Sequence, residues 1–106
     1  MIRAKYRRAD AAHSFVVVGH AEYSDKGNDI VCAGASSIVY ALLGWLENNS
    51  EDLEYINADV HEGEVVIACE GGERTAAVFE ATAIGLAQLA DNYPDHVEIE
   101  IIGIAD

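Results

Sequence analysis

The segment DIVCAGASSIVYALLGWLEN, residues 29–48, decides the fold. Asp29 is one of the residue types that accept hydrogen bonds from the free N–H groups at a helix N-terminus, and apolar residues follow it for several turns. The segment therefore predicts a helix that begins after Asp29 and ends near Asn48. Residues 30–46 carry no charge and approach the length that spans a membrane. Because they contain two glycines and two serines, and no basic residue adjoins them, we expect a buried helix.

The segments on either side of this helix have the patterns of strands. Residues 2–8, IRAKYRR, alternate between apolar and basic side chains, which is the period of a half-buried strand. Residues 13–20, HSFVVVGH, are rich in β-branched side chains and predict a second strand. Residues 57–70 predict a hairpin with its turn at 61–63, and residues 96–104 alternate again.

A second helix, predicted within residues 71–94, completes the order ββαββαβ. We expect Thr75 or a neighbour near its start and Pro94 beyond its end. This order predicts an α+β fold with a mostly antiparallel sheet. Two long apolar helices would pack together and be buried against the sheet, a dimer partner, or both. Whether the helices share one face of a sheet or lie between two layers stays open. A chain of 106 residues predicts a single domain, residues 1–106.

Both predicted helices are apolar almost all the way round. A helix without a polar face is covered on more than one side. We therefore predict a homodimer in which the remaining helix surface meets a second subunit.

Charge and cysteine content narrow the class of function. The net charge is -13, because the chain has 19 acidic and only six basic residues. Such a surface repels nucleic acid and anionic membranes and attracts a basic partner. The sequence has two cysteines, no CxxC pair and no apolar leader segment. It therefore predicts a cytoplasmic protein without a metal site or another cofactor.

His20 and Cys32 are the candidate catalytic pair. A cysteine attacks as the thiolate, and the N–H groups and dipole of the predicted helix N-terminus favour negative charge at Cys32. His20 is followed by a polar loop that can bring it back toward the helix start. There it would accept the thiol proton and later donate a proton to the leaving amine. The N–H groups near Cys32 would supply part of an oxyanion hole.

The same part of the chain contains supporting candidates. Asp29 would cap the helix or steer His20, and Ser36, one turn after Cys32, would hydrogen-bond to the thiolate. The loop between histidine and cysteine would close over a substrate as a lid. The residues of this candidate substrate-binding loop are Ala21, Glu22, Tyr23, Ser24, Asp25, Lys26, Gly27 and Asn28.

Simpler interpretations stay open on the residues alone. A lone cysteine in an apolar helix is usually a small core residue, and a histidine at a strand end is usually solvated. Cys69 is interpreted as an inert buried thiol. His13, His61 and His96 are predicted to face solvent.

Two motifs in this order, GHA at residues 19–21 and GNDIVCA at residues 27–33, resemble the ribosomal-processing cysteine protease family Prp. The resemblance covers the whole chain. It implies that His20 is the catalytic histidine, Cys32 the nucleophile, Asp29 the acidic residue of the motif and Ser36 its serine. Where family members often read CAAVS, this chain reads CAGAS.

The resemblance implies a cytoplasmic bacterial endopeptidase that is dimeric and needs no cofactor. Its substrate would be large-subunit ribosomal protein twenty-seven, whose short N-terminal extension is removed during ribosome assembly. An apolar, aromatic sequence would precede the cut. Ribosomal proteins are basic, which agrees with the acidic charge of this chain. Two other functions stay open on the residues: a non-enzymatic acidic domain that binds a basic ribosomal protein or precursor, and another thiol-dependent hydrolase on the same scaffold.

Overall fold

The computed structural model describes residues 1–103 as one mixed β-sheet covered on one face by two helices. The predicted α+β class and the order ββαββαβ are confirmed. The elements are β1 (Ile2–Ala9), β2 (Ala12–Val18), α1 (Ile30–Asn48), a short 3-10 turn (Ser50–Asp52), β3 (Leu53–His61), β4 (Glu64–Gly71), α2 (Glu73–Asn92) and β5 (Val97–Ile102). Residue 104, where the last strand was predicted to end, lies outside the described residues.

The sheet has the strand order β3-β4-β2-β1-β5. All neighbouring strands are antiparallel except β1 and β5, which are parallel. The mostly antiparallel sheet is thus confirmed. α2 crosses over β2 and β1 on its way from β4 to β5 at the far edge, and this crossover lets β5 run parallel to β1.

Both helices lie on the same face of the sheet, which answers the question that the sequence left open. Tyr6, Phe15 and Ile67 point toward the helices and are fully buried. Arg3 and Lys5, one residue out of phase, are exposed on the opposite face. There they form ion pairs with Glu98 and Glu100 of β5, at 2.9 Å and 3.7 Å. These basic side chains of β1 are therefore paired with acidic side chains of β5, and the excess of acidic side chains lies on the rest of the surface.

α1 packs against the core with one row of side chains at helical spacing. The buried residues of this row are Val31, Ala35, Val39, Leu42 and Leu46. Each large aliphatic side chain in such a row stabilises the fold by roughly 1.5–3 kcal/mol. By length and composition α1 could cross a membrane, but here this row forms part of the protein core. The opposite side is left uncovered by the described residues 1–103, because Ile30 is 61% exposed.

His13 does not face solvent as predicted, since only 2% of it is exposed. The register pairs it with Arg8 and Cys69 on the helix-facing side of the sheet. Its ring stacks on Phe79 of α2 with centroids 4.6 Å apart, and its Nδ1 lies 2.6 Å from the Tyr6 hydroxyl. The prediction failed because the β-branched side chains of residues 13–20 predict a strand but do not show which of its sides faces the helices.

The other two histidines differ from each other. His61 is exposed, as predicted. His96 is half-buried, and its Nδ1 lies 2.9 Å from the Ala21 carbonyl oxygen. The solvent-facing prediction for His96 is therefore wrong, because this histidine packs under the start of the loop.

Acid is expected to unfold the protein partly through His13. Burial lowers the pKa of His13 below its ordinary 6.5, the Arg8 charge adds to this, and Glu80 opposes it. The folded state therefore favours the neutral ring. His13 stabilisation is fully present above about pH 6.5 and is lost as the pH falls toward the folded-state pKa, by at most about 1.4 kcal/mol per pH unit.

Urea unfolding of the wild type and His13→Gln at pH 7, 6 and 5 measures this effect. The variant should be less stable at pH 7, by about 1–2 kcal/mol, but should lose less stability on acidification. His61→Gln, at an exposed position, is the matched control and should keep the wild-type slope. Parallel pH dependences for all three proteins would contradict the assignment.

Candidate active site

A cavity of about 890 Å³ opens between α1 and the helix-facing side of the sheet. Its floor includes Val17, Val65 and Val60, which form one cross-strand row on β2, β4 and β3. Its wall is the first half of α1, and its end is formed by residues 19–29 and by the turn between β3 and β4. The cavity is thus apolar along its floor and polar at its end.

The four single-residue candidates all line this cavity: His20, Cys32, Asp29 and Ser36. The structure thus brings His20 and Cys32 to one site although they are distant in sequence. Cys32 is half-buried.

The candidate substrate-binding loop lines the cavity with half of its residues: Glu22, Ser24, Lys26 and Gly27. Its other residues are elsewhere. Ala21 is buried, with 1% exposure, and the Tyr23 ring packs edge-on against Tyr93 and His96. Asp25 and Asn28 are exposed and form a turn through their backbones.

Asp29 caps α1, as predicted, and also holds the loop. Its Oδ1 accepts hydrogen bonds from the N–H groups of Val31 and Cys32 at 3.0 Å and 2.9 Å. Its Oδ2 accepts from the N–H groups of Tyr23 and Ser24 at 2.9 Å and 3.3 Å. Desolvation raises the pKa of this carboxyl, but the four N–H donors together outweigh it and lower the pKa. One carboxylate therefore fixes the loop relative to the first turn of the helix.

The same hydrogen bonds limit where an oxyanion hole can form. The N–H groups of Val31 and Cys32 donate to Asp29 Oδ1, and the N–H of Ala33 donates to the Asp29 carbonyl oxygen. These three donors are already engaged. Oxyanion donors at this helix start would have to come from other groups.

His20 lies two residues beyond the end of β2, which ends at Val18 and not at residue 20 as predicted. The strand ends because Gly19 has φ +96°, a left-handed conformation that favours glycine. A Cβ at Gly19 would overlap the Met1 carbonyl oxygen. The Gly19 N–H instead donates to the Gly63 carbonyl oxygen at 2.8 Å. The chain is thereby turned away from the sheet and directs His20 toward the cavity.

The turn between β3 and β4 is a part of the site that the sequence did not predict. Gly63 has φ +77°, and a Cβ there would lie 2.9 Å from His20 Nε2, so the ring rests against this turn. The neighbouring Glu62 accepts a hydrogen bond from Lys26 Nζ at 3.0 Å. That bond, together with the charges of Lys26 and then His20, lowers the pKa of Glu62. Residues 61–63 were predicted only as a hairpin turn, and nothing local in them signals contact with His20.

Gly63→Ala is expected to displace the His20 ring. A non-glycine residue at positive φ costs about 1–2 kcal/mol of stability, and the new methyl group would also meet His20 Nε2. Because His20 is a candidate catalytic residue and small displacements of catalytic groups are costly, proteolytic activity should fall by about 10- to 100-fold. Ring NMR shifts of His20 and thermal unfolding measure the two effects separately.

Gly27→Ala is the matched control for backbone strain. Gly27 also has positive φ, but a Cβ there would meet no atom of residues 1–103 within 4 Å. This variant should lose stability without moving the His20 ring. Unchanged ring shifts in Gly63→Ala would contradict the proposed contact.

The second thiol is unsuited to the chemistry of this cavity. Cys69 is fully buried, and burial raises the pKa of its thiol to about 11. It is therefore protonated at neutral pH, in agreement with its interpretation as an inert core residue. Within residues 1–103, no group of three His, Cys, Asp or Glu side chains is placed to hold a metal ion.

A cysteine and a histidine that line one open cavity are typical of a cysteine-dependent hydrolase. The family model described as cysteine protease Prp matches residues 1–98. The chain belongs to this family and is a cysteine protease, as the sequence motifs implied.

Several relatives support this assignment over most of the chain. The ribosomal processing cysteine protease Prp of Mycoplasma pneumoniae is 32% identical over 93 residues, which cover 83% of this chain and 86% of that protein. The protein of the same name from Mycoplasma genitalium is 27% identical over 93 residues, covering 87% of this chain and 92% of that protein.

Solved structures show the same fold. The essential ribosomal processing protease Prp from S. aureus, crystallised with a covalently linked product peptide, gives a TM-score of 0.82 at 21% identity, covering 95% of this chain and 99% of that chain. Its complex with a substrate peptide gives 0.71 at 15% identity, with coverage of 95% and 99%.

Proposed function

We propose that this protease removes the N-terminal extension of large-subunit ribosomal protein twenty-seven during ribosome assembly, with Cys32 as nucleophile and His20 as general base and acid. The observation that carries the proposal is that both side chains line one cavity in a chain of the Prp family. Relatives named ribosomal processing proteases support the substrate class. The S. aureus protein binds a substrate peptide, which supports a peptide as the ligand of the groove.

The chemistry follows from the two side chains. His20 accepts the Cys32 thiol proton, and the thiolate attacks the carbonyl carbon of the scissile peptide bond. As the tetrahedral intermediate collapses, the C–N bond breaks and His20 donates its proton to the leaving amine. Water, deprotonated by His20, then hydrolyses the thioester, which releases the acid product and restores the Cys32 thiol. No cofactor takes part in this scheme.

Asp29 and Ser36 support the site in different ways. Asp29 holds the first turn of α1 and the loop together through its four hydrogen bonds. Ser36 lies one turn after Cys32 and lines the same cavity. In this proposal its hydroxyl group donates a hydrogen bond to the Cys32 thiolate.

The apolar floor of the cavity suits the side chains that precede the cut. Val17, Val60 and Val65 offer aliphatic contacts there, and Tyr40 offers an aromatic one. Residues 21–28 lie at the end of the groove, and we propose that they close over the bound peptide as a lid.

Raising the salt concentration is expected to raise KM for the basic protein substrate. The net charge of -13 attracts a basic ribosomal protein, and ions screen this attraction over about 8–10 Å at 0.1–0.15 M salt. Between 50 mM and 500 mM salt, KM should rise several-fold while kcat changes little. A short peptide of the junction without basic residues is the control. An equal response from both substrates would contradict electrostatic attraction.

A cytoplasmic homodimer is the form in which we propose that the protein acts, without binding nucleic acid or a membrane. The exposed apolar side chains Ile30 on α1 and Ile84 on α2 support a second subunit. Gel filtration at micromolar concentration should give the dimer mass, and a monomer alone would contradict this part of the proposal.

The proposed substrate is tested with purified protein and the extended ribosomal protein, followed by mass spectrometry. A single cut at the start of the mature sequence supports the proposal. Tight binding without a cut would favour the alternative acidic module that binds a ribosomal precursor. Equal cleavage of unrelated basic proteins would favour another thiol-dependent hydrolase.

A further inference from the structure

The carboxylate of Glu62 pairs with Lys26 and belongs to the residue next to Gly63, which contacts His20. On one side, its Oε1 lies 3.0 Å from Nζ of Lys26 in the loop. On the other side, the adjacent residue Gly63 lies against Nε2 of His20, as the 2.9 Å distance from a Cβ built at Gly63 shows. All three residues line the same cavity as His20. The hairpin turn therefore pairs the Glu62 carboxylate with the loop and holds the adjacent Gly63 against the histidine.

We propose that Glu62 is a positioning residue for His20, and that Lys26 of the loop and the protonated His20 ring share its carboxylate. This inference rests on the proposed function, because it assigns to Glu62 the stabilisation of the imidazolium that forms when His20 takes the Cys32 proton. A negative charge beside this ring favours the ion pair of thiolate and imidazolium over the neutral pair. Lys26, while bound, neutralises part of that negative charge.

The position of the loop then determines how strongly Glu62 stabilises the protonated His20 ring. The Lys26–Glu62 pair is exposed, with 91% and 73% of the two side chains accessible, and exposed ion pairs are weak. A peptide that enters the groove can therefore displace Lys26 with little penalty. Once Lys26 leaves, Glu62 acts on His20 alone, so the entry of substrate increases the stability of the imidazolium.

Other charged groups around His20 do not duplicate this arrangement. The loop and α1 contribute Glu22, Asp29 and Cys32 to the cavity, and the hairpin contributes His61 and Glu64. Asp29 is occupied by four backbone N–H groups. Among the hydrogen bonds within residues 1–103, Glu62 is the one carboxylate of the cavity bound to a lysine.

Neutralising Glu62 and neutralising Lys26 are expected to shift the pH profile in opposite directions. The readout is the rate at which iodoacetamide alkylates Cys32 across pH 5–10, located by mass spectrometry, together with kcat/KM. In Glu62→Gln the imidazolium loses a negative neighbour. The alkaline limb of the kcat/KM profile should therefore move down by about 0.5–1 pH unit. In Lys26→Gln the same limb should move up by a similar amount, because the Glu62 charge is no longer shared.

A second ion pair provides the matched control. Arg3 and Glu98 are 2.9 Å apart on the opposite face of the sheet. Glu98→Gln should leave the pH profile of Cys32 unchanged.

The outcomes separate the two proposals. If His20→Ala leaves the alkylation profile of Cys32 unchanged, the catalytic pair is wrong and the role of Glu62 is overturned with it. If the profile depends on His20, but Glu62→Gln and Lys26→Gln shift it in the same direction or not at all, the catalytic pair stands and the role of Glu62 is overturned. Shifts in the same direction would show that the ion pair only fastens the loop.

Discussion

Cys32→Ala is expected to reduce the rate of peptide cleavage by at least about a thousandfold, and His20→Ala by a similar factor. In the proposed scheme, Cys32→Ala removes the atom that forms the thioester. In the same scheme, His20→Ala removes both the acceptor of the thiol proton and the donor to the leaving amine. Because the two side chains act as one unit, the double variant should be about as inactive as either single variant. The measurement is cleavage of a peptide that spans the extension junction, followed by mass spectrometry.

Binding and folding must be separated from chemistry in this experiment. Both side chains line the cavity without belonging to the fully buried core, so the variants should remain folded and should still bind the peptide. Cys69→Ala is the matched control for loss of a thiol, because Cys69 is buried in the core. It should lower stability but keep cleavage. Cleavage that survives in Cys32→Ala and disappears in Cys69→Ala would reverse the assignment of the nucleophile.

The sequence predicted the type and order of the elements because each has a local signal, although β3 begins at Leu53 and not at residue 57 as predicted. Asp29 at the start of an apolar segment predicted α1 with the bounds that the structure shows, and alternation predicted β1 and β5. What it could not give is the phase of a strand relative to the helices. His13 was misassigned for this reason: the β-branched side chains predict β2 without showing which side is buried, and the contact with Phe79 shows it only in the folded chain. The strand order likewise depends on contacts between distant segments.

The candidate site was predictable to the extent that its residues are close in sequence. His20, Asp29, Cys32 and Ser36 lie within one continuous segment and reach one cavity. Glu62 was missed because it belongs to a different hairpin and meets the loop only through Lys26 in the folded chain. The predicted oxyanion donors were misjudged for a related reason. A helix N-terminus supplies free N–H groups in general, but here the capping side chain already occupies those nearest the cysteine.

Asp29→Ala is expected to disturb stability and activity together. The side chain accepts four backbone hydrogen bonds, two from the start of α1 and two from the loop. Loss of an N-cap in a domain of this size lowers Tm by about 4–8 °C. Cleavage should fall by more than about tenfold, because neither Cys32 nor the loop then keeps its place relative to His20.

Asp29→Asn tests the two oxygen atoms of the Asp29 side chain separately from the loss of the whole side chain. An asparagine side chain has one acceptor oxygen, so it can satisfy either the helix N–H groups or the loop N–H groups, but not both pairs. Its Tm and activity should fall between those of the wild type and Asp29→Ala. Asn28→Ala, at the adjacent exposed position, is the control and should change Tm little.

The pH dependence of Tm tests whether the charge of Asp29 is responsible. Because the pKa of Asp29 is lowered below its ordinary 3.8, its stabilisation is fully present above that value and is lost as the pH falls through the folded-state pKa. The difference in Tm between the wild type and Asp29→Ala should therefore be constant from pH 7 to about pH 5 and shrink below about pH 4. A difference that persists unchanged in acid would show that packing, and not the carboxylate, holds the loop on the helix.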